Sequence, residues 1–334
     1  MINWLSRTCV AIPTLNAGIF LSECLESLYS TQGNRANGLT ILVLDGGSVD
    51  LTHDIVSFYQ QKYGSIQLNK FPGSHPGHRI NALIDSNEFD YLMICHADDI
   101  YNLDLRLCCL EEAIDRKDII RGSQVAYFQS PLDCMGAPGS PIYSGTHQTH
   151  PLTPEGIISE MCHWWCISLN TACVDAKGLV DLGLRYDWKK YKYCADYMLN
   201  WQVAKTGRIS NSPIVTTITR HNGLGDGPVN TTSVASEFKK IREAIFAELQ
   251  LSAILGPELL NKLASLTYSY GVFSGCDHIT KADCSKIKAQ LSGCTFQAGL
   301  ATVHLDRLPL PPPTSTPQRL RRFIDRLKMR VSFP

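Results

Sequence analysis

Short apolar runs that stop abruptly in polar or turn residues dominate this chain. Residues 9–12 (CVAI) end at Pro13, residues 41–44 (ILVL) end in Asp45-Gly46-Gly47-Ser48, and residues 91–95 (YLMIC) end in His96-Ala97-Asp98-Asp99. Runs this uniformly apolar predict strands buried on both faces, as in a parallel sheet. Between them the period changes. Leu21, Cys24, Leu25 and Leu28 fall at helical spacing within 19–29, and helices are predicted over 52–63, 79–87 and 103–116, with a further strand opening at DIIRGS (118–123). Strand and helix alternate in units of about 30 residues, which predicts an α/β fold with a Rossmann-like, mostly parallel central sheet flanked by helices. Ligands bind beyond the carboxyl ends of the strands in such sheets, so the three polar tails should share one rim.

The remainder is less regular. Residues 130–156 are rich in Pro, Gly, Ser and Thr and read as a loop excursion, and IVTTIT (214–219) is a strand. Residues 236–270 are helical by pattern, with Phe238, Ile241, Ile245 and Leu249 on one face. LPLPPPTSTP (308–317) is a stiff extended linker. Beyond it Arg319, Arg321, Arg322, Arg326, Lys328 and Arg330 stand against a single Asp325. The expected organisation is a main domain over 1–235, a helical C-terminal extension over 236–307, and a linker with a basic amphipathic tail over 308–334.

Composition narrows the classes. The 334 residues carry 31 Lys+Arg and 31 Asp+Glu, so nothing draws the whole chain to nucleic acid, and none is expected as a partner. A hydrophobic content of 44% supports a real core and excludes a disordered chain. The 13 cysteines are odd in number and form no C-x-x-C pair, which predicts buried thiols in a reducing, cytoplasmic setting. No window approaches the roughly 20 apolar residues of a membrane span. The G-x-G-x-x-G turn, the P-loop and the G-x-S-x-G elbow are all missing after the strands. What remains is a rim of carboxylates where a phosphate ligand would sit. That pairing requires a divalent cation, Mn²⁺ or Mg²⁺, between them.

These residues resemble an inverting family 2 glycosyltransferase of the GT-A fold, over about residues 8–225. Four segments carry the likeness, in order. They are Ile12-Pro13-Thr14-Leu15-Asn16 with Cys24-Leu25-x-Ser27-Leu28; Asp45-Gly46-Gly47-Ser48-x-Asp50-x-Thr52; Asn81 ahead of Ala97-Asp98-Asp99-Ile100-Tyr101; and Ala195-Asp196-Tyr197 followed by Arg220-His221-Asn222-Gly223. The middle section, with His163-Trp164, is similar to the branch acting on polysaccharide and lipopolysaccharide precursors. The resemblance implies transfer of a sugar from a nucleoside diphosphate sugar, a UDP-sugar in the first instance, to a glycan or lipid-linked glycan. It implies that Pro13, Thr14 and Asn16 shape the nucleotide pocket and that Asp45 contacts the base. Asp98 and His221 would hold the metal, and Asp196 would be the general base. Two positions depart from the pattern: His96 stands where the first Asp of D-x-D is usual, and Ala195 replaces a Glu. They leave open a catalytically inactive, glycan-binding or scaffolding relative.

Each residue also has a plainer reading. Asp45 could cap a turn instead of meeting a nucleotide. Asp99 or Asn102 could cap the 103–116 helix, or Asp99 could place the acceptor. His96 could donate to the ribose, join the metal or be structural. Asp196 could pair with Arg185 or Lys190. Arg79, with His78, could reach the diphosphate or be solvated. His163 and Trp164 could contact sugar or belong to the core. The tail could meet an anionic membrane surface, on the inner face, or dock on its own domain.

Overall fold

The computed structural model describes residues 4–31, 38–129, 167–221, 228–265, 267–269, 272–274 and 280–304. Its centre is an eight-stranded sheet in the order β3-β2-β1-β4-β7-β6-β8-β5. The strands are β1 (Thr8–Thr14), β2 (Thr40–Asp45), β3 (Ile66–Lys70), β4 (Tyr91–Ile94), β5 (Ile100–Tyr101), β6 (Ile120–Gln129), β7 (Cys173–Asp175) and β8 (Ile209–His221). Pairing is parallel through β3, β2, β1 and β4 and again between β6 and β8. The short β7 runs antiparallel to β4 and β6, and β5 runs antiparallel to β8.

The uniform apolar runs have a direct cause. Cys9, Ala11, Leu42, Leu44, Leu92 and Ile94 point into one buried layer, while Val10, Ile12, Ile41, Val43 and Met93 point into the other. Side chains alternate between faces, yet both faces are covered, so no polar residue is needed along the strand. Helices α1 (Gly18–Ser30), α2 (Thr52–Tyr63) and α4 (Leu103–Arg116) cover the second layer. Helices α3 (Pro76–Asp85), α5 (Ala176–Asp181), α6 (Ala195–Ala204) and α7 (Pro228–Glu248) contribute to the first.

The chain winds from β1 through β2 to β3, then returns to place β4 on the other side of β1. The connections after β1 and β4 therefore diverge, and a crevice opens at their carboxyl ends. Both PTLN and HADD leave the sheet at that point, and the DGGS tail of β2 lies next to PTLN, with Thr14 abreast of Asp45.

The extension differs from its expected all-helical form. The helical pattern over 236–270 breaks at Gln250, whose φ is +55°, and resumes only in α8 (Pro257–Ser265). Helix α9 (Lys281–Leu291) follows, and two hairpins interrupt the helices: β9 (Thr267–Ser269) with β10 (Val272–Ser274), and β11 (Thr295–Ala298) with β12 (Ala301–His304). The division expected at 235 falls inside α7. Phe238, Ile241, Ile245 and Leu249 are buried as the pattern implied, but in the same cluster as the sheet residues Ala11, Leu44 and Ile94. The extension completes the main core instead of standing apart from it. Strands β3, β5 and β7 carried no sequence signal strong enough to read. β3 is a half-exposed edge, and β5 and β7 are only two and three residues long.

The linker and tail over 308–334 lie outside the described residues. Nine described cysteines are free thiols, five of them in the sheet and the helices facing its second layer. No helix among the described residues is long and apolar enough to cross a membrane.

Candidate functional site

The loops after β1 and β2 are zipped together by the motif residues themselves. Asn16, at φ +50°, donates its backbone N–H to Ser48 Oγ at 2.8 Å, and its Oδ1 accepts from Val49 N at 2.9 Å. Asp50 accepts from Gly18 N at 2.8 Å and from Thr52 N at 3.0 Å, serving the first turns of α1 and α2 together. Thr52 Oγ1 accepts from Ala17 N at 3.2 Å. Thr14 is buried and spends its hydroxyl on the Ile12 carbonyl. Gly47, at φ +103°, takes a backbone conformation closed to most side chains.

Asp45 is 1% exposed and its carboxylate is fully engaged. It accepts from Gly47 N at 3.1 Å, Ser48 N at 3.0 Å, the Ser48 hydroxyl, and His53 Nε2 at 2.9 Å. Burial acts to raise its pKa, but the bonds from Ser48, His53 and Gly47 outweigh it and hold the carboxyl below its ordinary range. The turn reading is thus realised, and any nucleobase contact at Asp45 would share these oxygens. A carboxyl depressed in the folded state adds stability above its unfolded pKa, near ~3.9. That stability is lost as pH falls through the folded value. Asp45→Ala is therefore expected to cost about 1–3 kcal/mol at pH 7 through unpaired buried donors. Thermal unfolding should show the gap to wild type closing toward pH 3.

Arg79, expected at the diphosphate or in solvent, does neither. It is 1% exposed and donates Nη1 to the carbonyls of Thr14 and Leu44, bracing the ends of β1 and β2 from inside. Its guanidinium lies 3.1 Å from where a Cβ on Gly46 would stand, so that glycine makes room for the arginine. Asn81 is likewise committed elsewhere. It donates Nδ2 to the Tyr186 carbonyl at 2.8 Å and accepts from Tyr186 N at 3.0 Å, tying α3 to the segment that leads into α6. In this structure both side chains brace neighbouring segments of the fold.

His96, Asp98 and Asp99 form a cluster just past β4, with one potential ligand atom from each within 4.8 Å of the others. The two carboxylates differ. Asp99 is 1% exposed and accepts from Asn170 Nδ2 at 2.5 Å, from Thr219 Oγ1 at 3.3 Å and from Tyr101 OH at 3.4 Å. Its oxygens are taken up by those bonds, and it does not cap α4, whose N-cap is Asn102, accepting from Leu105 N at 3.0 Å. Asp98 and His96 are only partly covered. Beneath the cluster, fully buried Arg106 donates to the carbonyls of Ile94, Asn170 and Ala172 and stacks on the Tyr101 ring at 5.3 Å. Carboxylate and imidazole donors drawn together at one point fit a divalent metal of the Mn²⁺ or Mg²⁺ type. His221 ends β8, alongside Gln129 of β6.

Asp196 occupies the first turn of α6 and is 6% exposed. Burial pushes its pKa up to about 7, against the pull of backbone bonds from Tyr197 and Leu169. The alternative ion pair does not form: Arg185 bonds Asp85 at 2.7 Å, and Lys190 lies over the Tyr191 ring. One short turn, Leu169–Thr171, serves both acidic centres, because Leu169 bonds Asp196 and the next residue, Asn170, bonds Asp99. Sequence reasoning missed Asn170 and His53. Only their tertiary neighbours mark them, and no local spacing could have done so. His163 and Trp164 lie outside the described residues.

Comparison with known proteins agrees with this geometry. Residues 9–167 match the family described as Glycosyl transferase family 2. A Mycoplasma pneumoniae protein, described as an uncharacterized glycosyltransferase MG025 homolog, is 30% identical over 95 residues, 28% of this chain. The match spans about a third, 31%, of that relative's length. Among solved structures, S. aureus TarS 1–349 in complex with UDP-GlcNAc superposes with a TM-score of 0.53 at 16% identity, covering 86% of this chain and 81% of that one. The mannosyltransferase PcManGT from Pyrobaculum calidifontis, in complex with GDP-Man and Mn²⁺, gives 0.50 at 16% identity, covering 87% and 77%. At such identities the likeness is one of fold.

Proposed function

We propose that this protein is a metal-dependent, inverting glycosyltransferase of the GT-A fold, a reading supported by the match of residues 9–167 to the family described as Glycosyl transferase family 2. Its donor would be a nucleoside diphosphate sugar and its acceptor a glycan or lipid-linked glycan. The observation that carries the reading is the His96–Asp98–Asp99 cluster at the β1/β4 crevice. It places acids where the fold receives a phosphate ligand.

Asp98, with His96 and His221 as candidate partners, would hold the divalent ion. Bound there, that ion would offset the charge of the departing diphosphate. Pro13, Thr14, Asn16 and the Asp45 turn frame the nucleotide end of the crevice. Asp196 takes the proton of the acceptor hydroxyl as its oxygen attacks the anomeric carbon. The carbon–oxygen bond to the diphosphate breaks on the opposite face, and the nucleoside diphosphate leaves with that electron pair. A carboxylate near pH 7 in its titration suits a base of this kind. The complexes of the two neighbours, one with UDP-GlcNAc and one with GDP-Man and Mn²⁺, support a nucleotide-sugar donor without fixing the base.

A panel of UDP, GDP, CDP and dTDP with and without Mn²⁺ tests the reading. Ligand binding to the native state raises the melting point, by about 2.7 kcal/mol of stabilisation at 100 times Kd. One nucleotide is expected to act strongly and only with the ion. No shift with any of them would defeat the donor assignment. Nucleotide binding without hydrolysis of any matching donor sugar would favour the inactive relative instead.

A further inference from the structure

The helix that carries Asp196 is gripped at both ends by glutamates of a single neighbour, α7. Glu237 Oε1 accepts the backbone N–H of Lys192 at 2.8 Å, and its Oε2 accepts those of Tyr193 and Cys194 at 2.7 and 3.1 Å. About three turns further along, Glu248 accepts from Trp201 Nε1 at 2.8 Å and from Lys205 Nζ at 2.7 Å. Between these anchors the Tyr197 and Phe238 rings pack with centroids 5.2 Å apart, and just before the first anchor Cys194 Sγ contacts the Val234 carbonyl at 3.9 Å. The two helices therefore lie side by side and run in the same direction.

The upper anchor repairs a local defect. The first N–H groups of a helix lack intrahelical partners, and the N-cap of α6, Cys194, makes no side-chain cap bond. A carboxylate from another element takes the N–H groups of the residues leading into the helix and complements its positive end. Ala195 also stands where the resemblance leads one to expect a glutamate beside the base. Here a carboxylate reaches the residues just before it from α7. Nothing in the donor or metal reading accounts for Glu237.

We propose that Glu237 is a positioning residue for Asp196, fixing the start of α6 and with it the depth at which the base enters the crevice. The C-terminal segment is on this view part of the catalytic unit. The inference rests on Asp196 acting as the base. Among the described residues, the ionisable groups around Asp196 are the Tyr186 phenol and the Cys194 thiol, both raised by burial and by Asp196 itself. Glu237 and Arg242 lie on the Cys194 side.

The test uses the full chain with Glu237→Ala, and Glu237→Gln as the milder variant that keeps one carbonyl acceptor. The Asp196 carboxyl is followed by ¹³C NMR titration, assigned by its loss in Asp196→Asn. Release of UDP from a UDP-sugar with Mn²⁺ and water as acceptor gives kcat, and calorimetry gives donor affinity. A loosened α6 lets water reach Asp196, so its titration should move down by about one pH unit or more. The kcat should fall by about 10- to 100-fold, with donor affinity within about twofold of wild type, and Gln should fall between. A folded Glu237→Ala protein with wild-type titration and kcat would overturn the proposal, as would a loss confined to donor affinity. If Ala fails to fold, the Gln variant decides by the same criteria. Full turnover in Asp196→Asn would instead remove the base assignment, while the titration would still show whether Glu237 sets the surroundings of Asp196.

Discussion

Replacing Asp98 by Ala is expected to remove most of the metal's effect on donor binding. With Mn²⁺ present, nucleoside diphosphate affinity should fall on the order of 100-fold, the scale seen when a metal site loses support. Without metal, the same substitution should leave affinity unchanged or slightly improved. The reason is electrostatic. A carboxylate facing a diphosphate repels it, and the repulsion becomes attraction only when a dication lies between them. A loss of shape alone would weaken binding in both conditions, so the contrast separates ligand loss from local unfolding. Asp99→Ala should behave differently. Asp99 is buried and bonded to Asn170, Thr219 and Tyr101, so its removal should lower the melting temperature in either condition. Calorimetric titration of UDP and GDP, with and without Mn²⁺, reads both variants. Equal affinities for wild type and Asp98→Ala with the ion present would remove Asp98 from the metal site.

The sequence made the rim legible because the physics behind it is local. Strands buried on both faces have to be apolar throughout, so their polar ends are conspicuous, and PTLN, DGGS and HADD marked the crevice before any coordinates. The roles of single residues were less legible, because they depend on distant partners. Arg79 looked like a phosphate ligand in the loop HPGHR, yet the carbonyls that bind it belong to Thr14 and Leu44 on other strands. Asp99 and Asp98 are adjacent in sequence, and only the arrival of Asn170 and Thr219 separates a buried structural acid from an accessible one. The surroundings of the C-terminal extension were hidden for a similar reason. Its amphipathic face at Phe238, Ile241 and Ile245 was correctly placed, but periodicity cannot say what such a face covers, and here Phe238 packs on Tyr197 of α6 within the cluster that also holds the sheet residues.

The motif Asp45-Gly46-Gly47-Ser48-x-Asp50-x-Thr52 illustrates how a functional signature can be structural in its detail. Every polar member bonds another part of the two zipped loops. A nucleotide pocket at a crevice needs walls that do not relax when charge enters. Binding geometry held by fixed hydrogen bonds loses less free energy to ordering on association. The motif would then serve the donor by keeping the loops in place, with direct contacts left to the few groups that remain exposed, among them Asn16.

Asp196→Asn should combine a large loss of turnover with a gain in stability. Removing a general base costs typically about 10²- to 10⁴-fold in rate, while donor affinity should stay within about twofold, since the base acts on the acceptor. The wild-type rate should rise as pH increases through about 7, where burial has placed the Asp196 titration, and level off above it. Below that point the carboxyl already holds a proton and cannot take another. Stability follows from the same displacement. A carboxyl whose folded pKa is raised favours the folded state below its unfolded value, and that advantage is lost as pH rises from ~3.9 through the folded value. At pH 8 the native protein thus carries a buried charge with no cationic partner among the described residues, and Asn, similar in shape, removes it. Melting curves should place the variant a few degrees above wild type at pH 8 and close to it at pH 4. A structural carboxylate would show the opposite, with stability falling in the Asn variant and turnover falling only in step with unfolding. Stability bought at the expense of turnover is what a strained catalytic group predicts, and its absence would return Asp196 to the core.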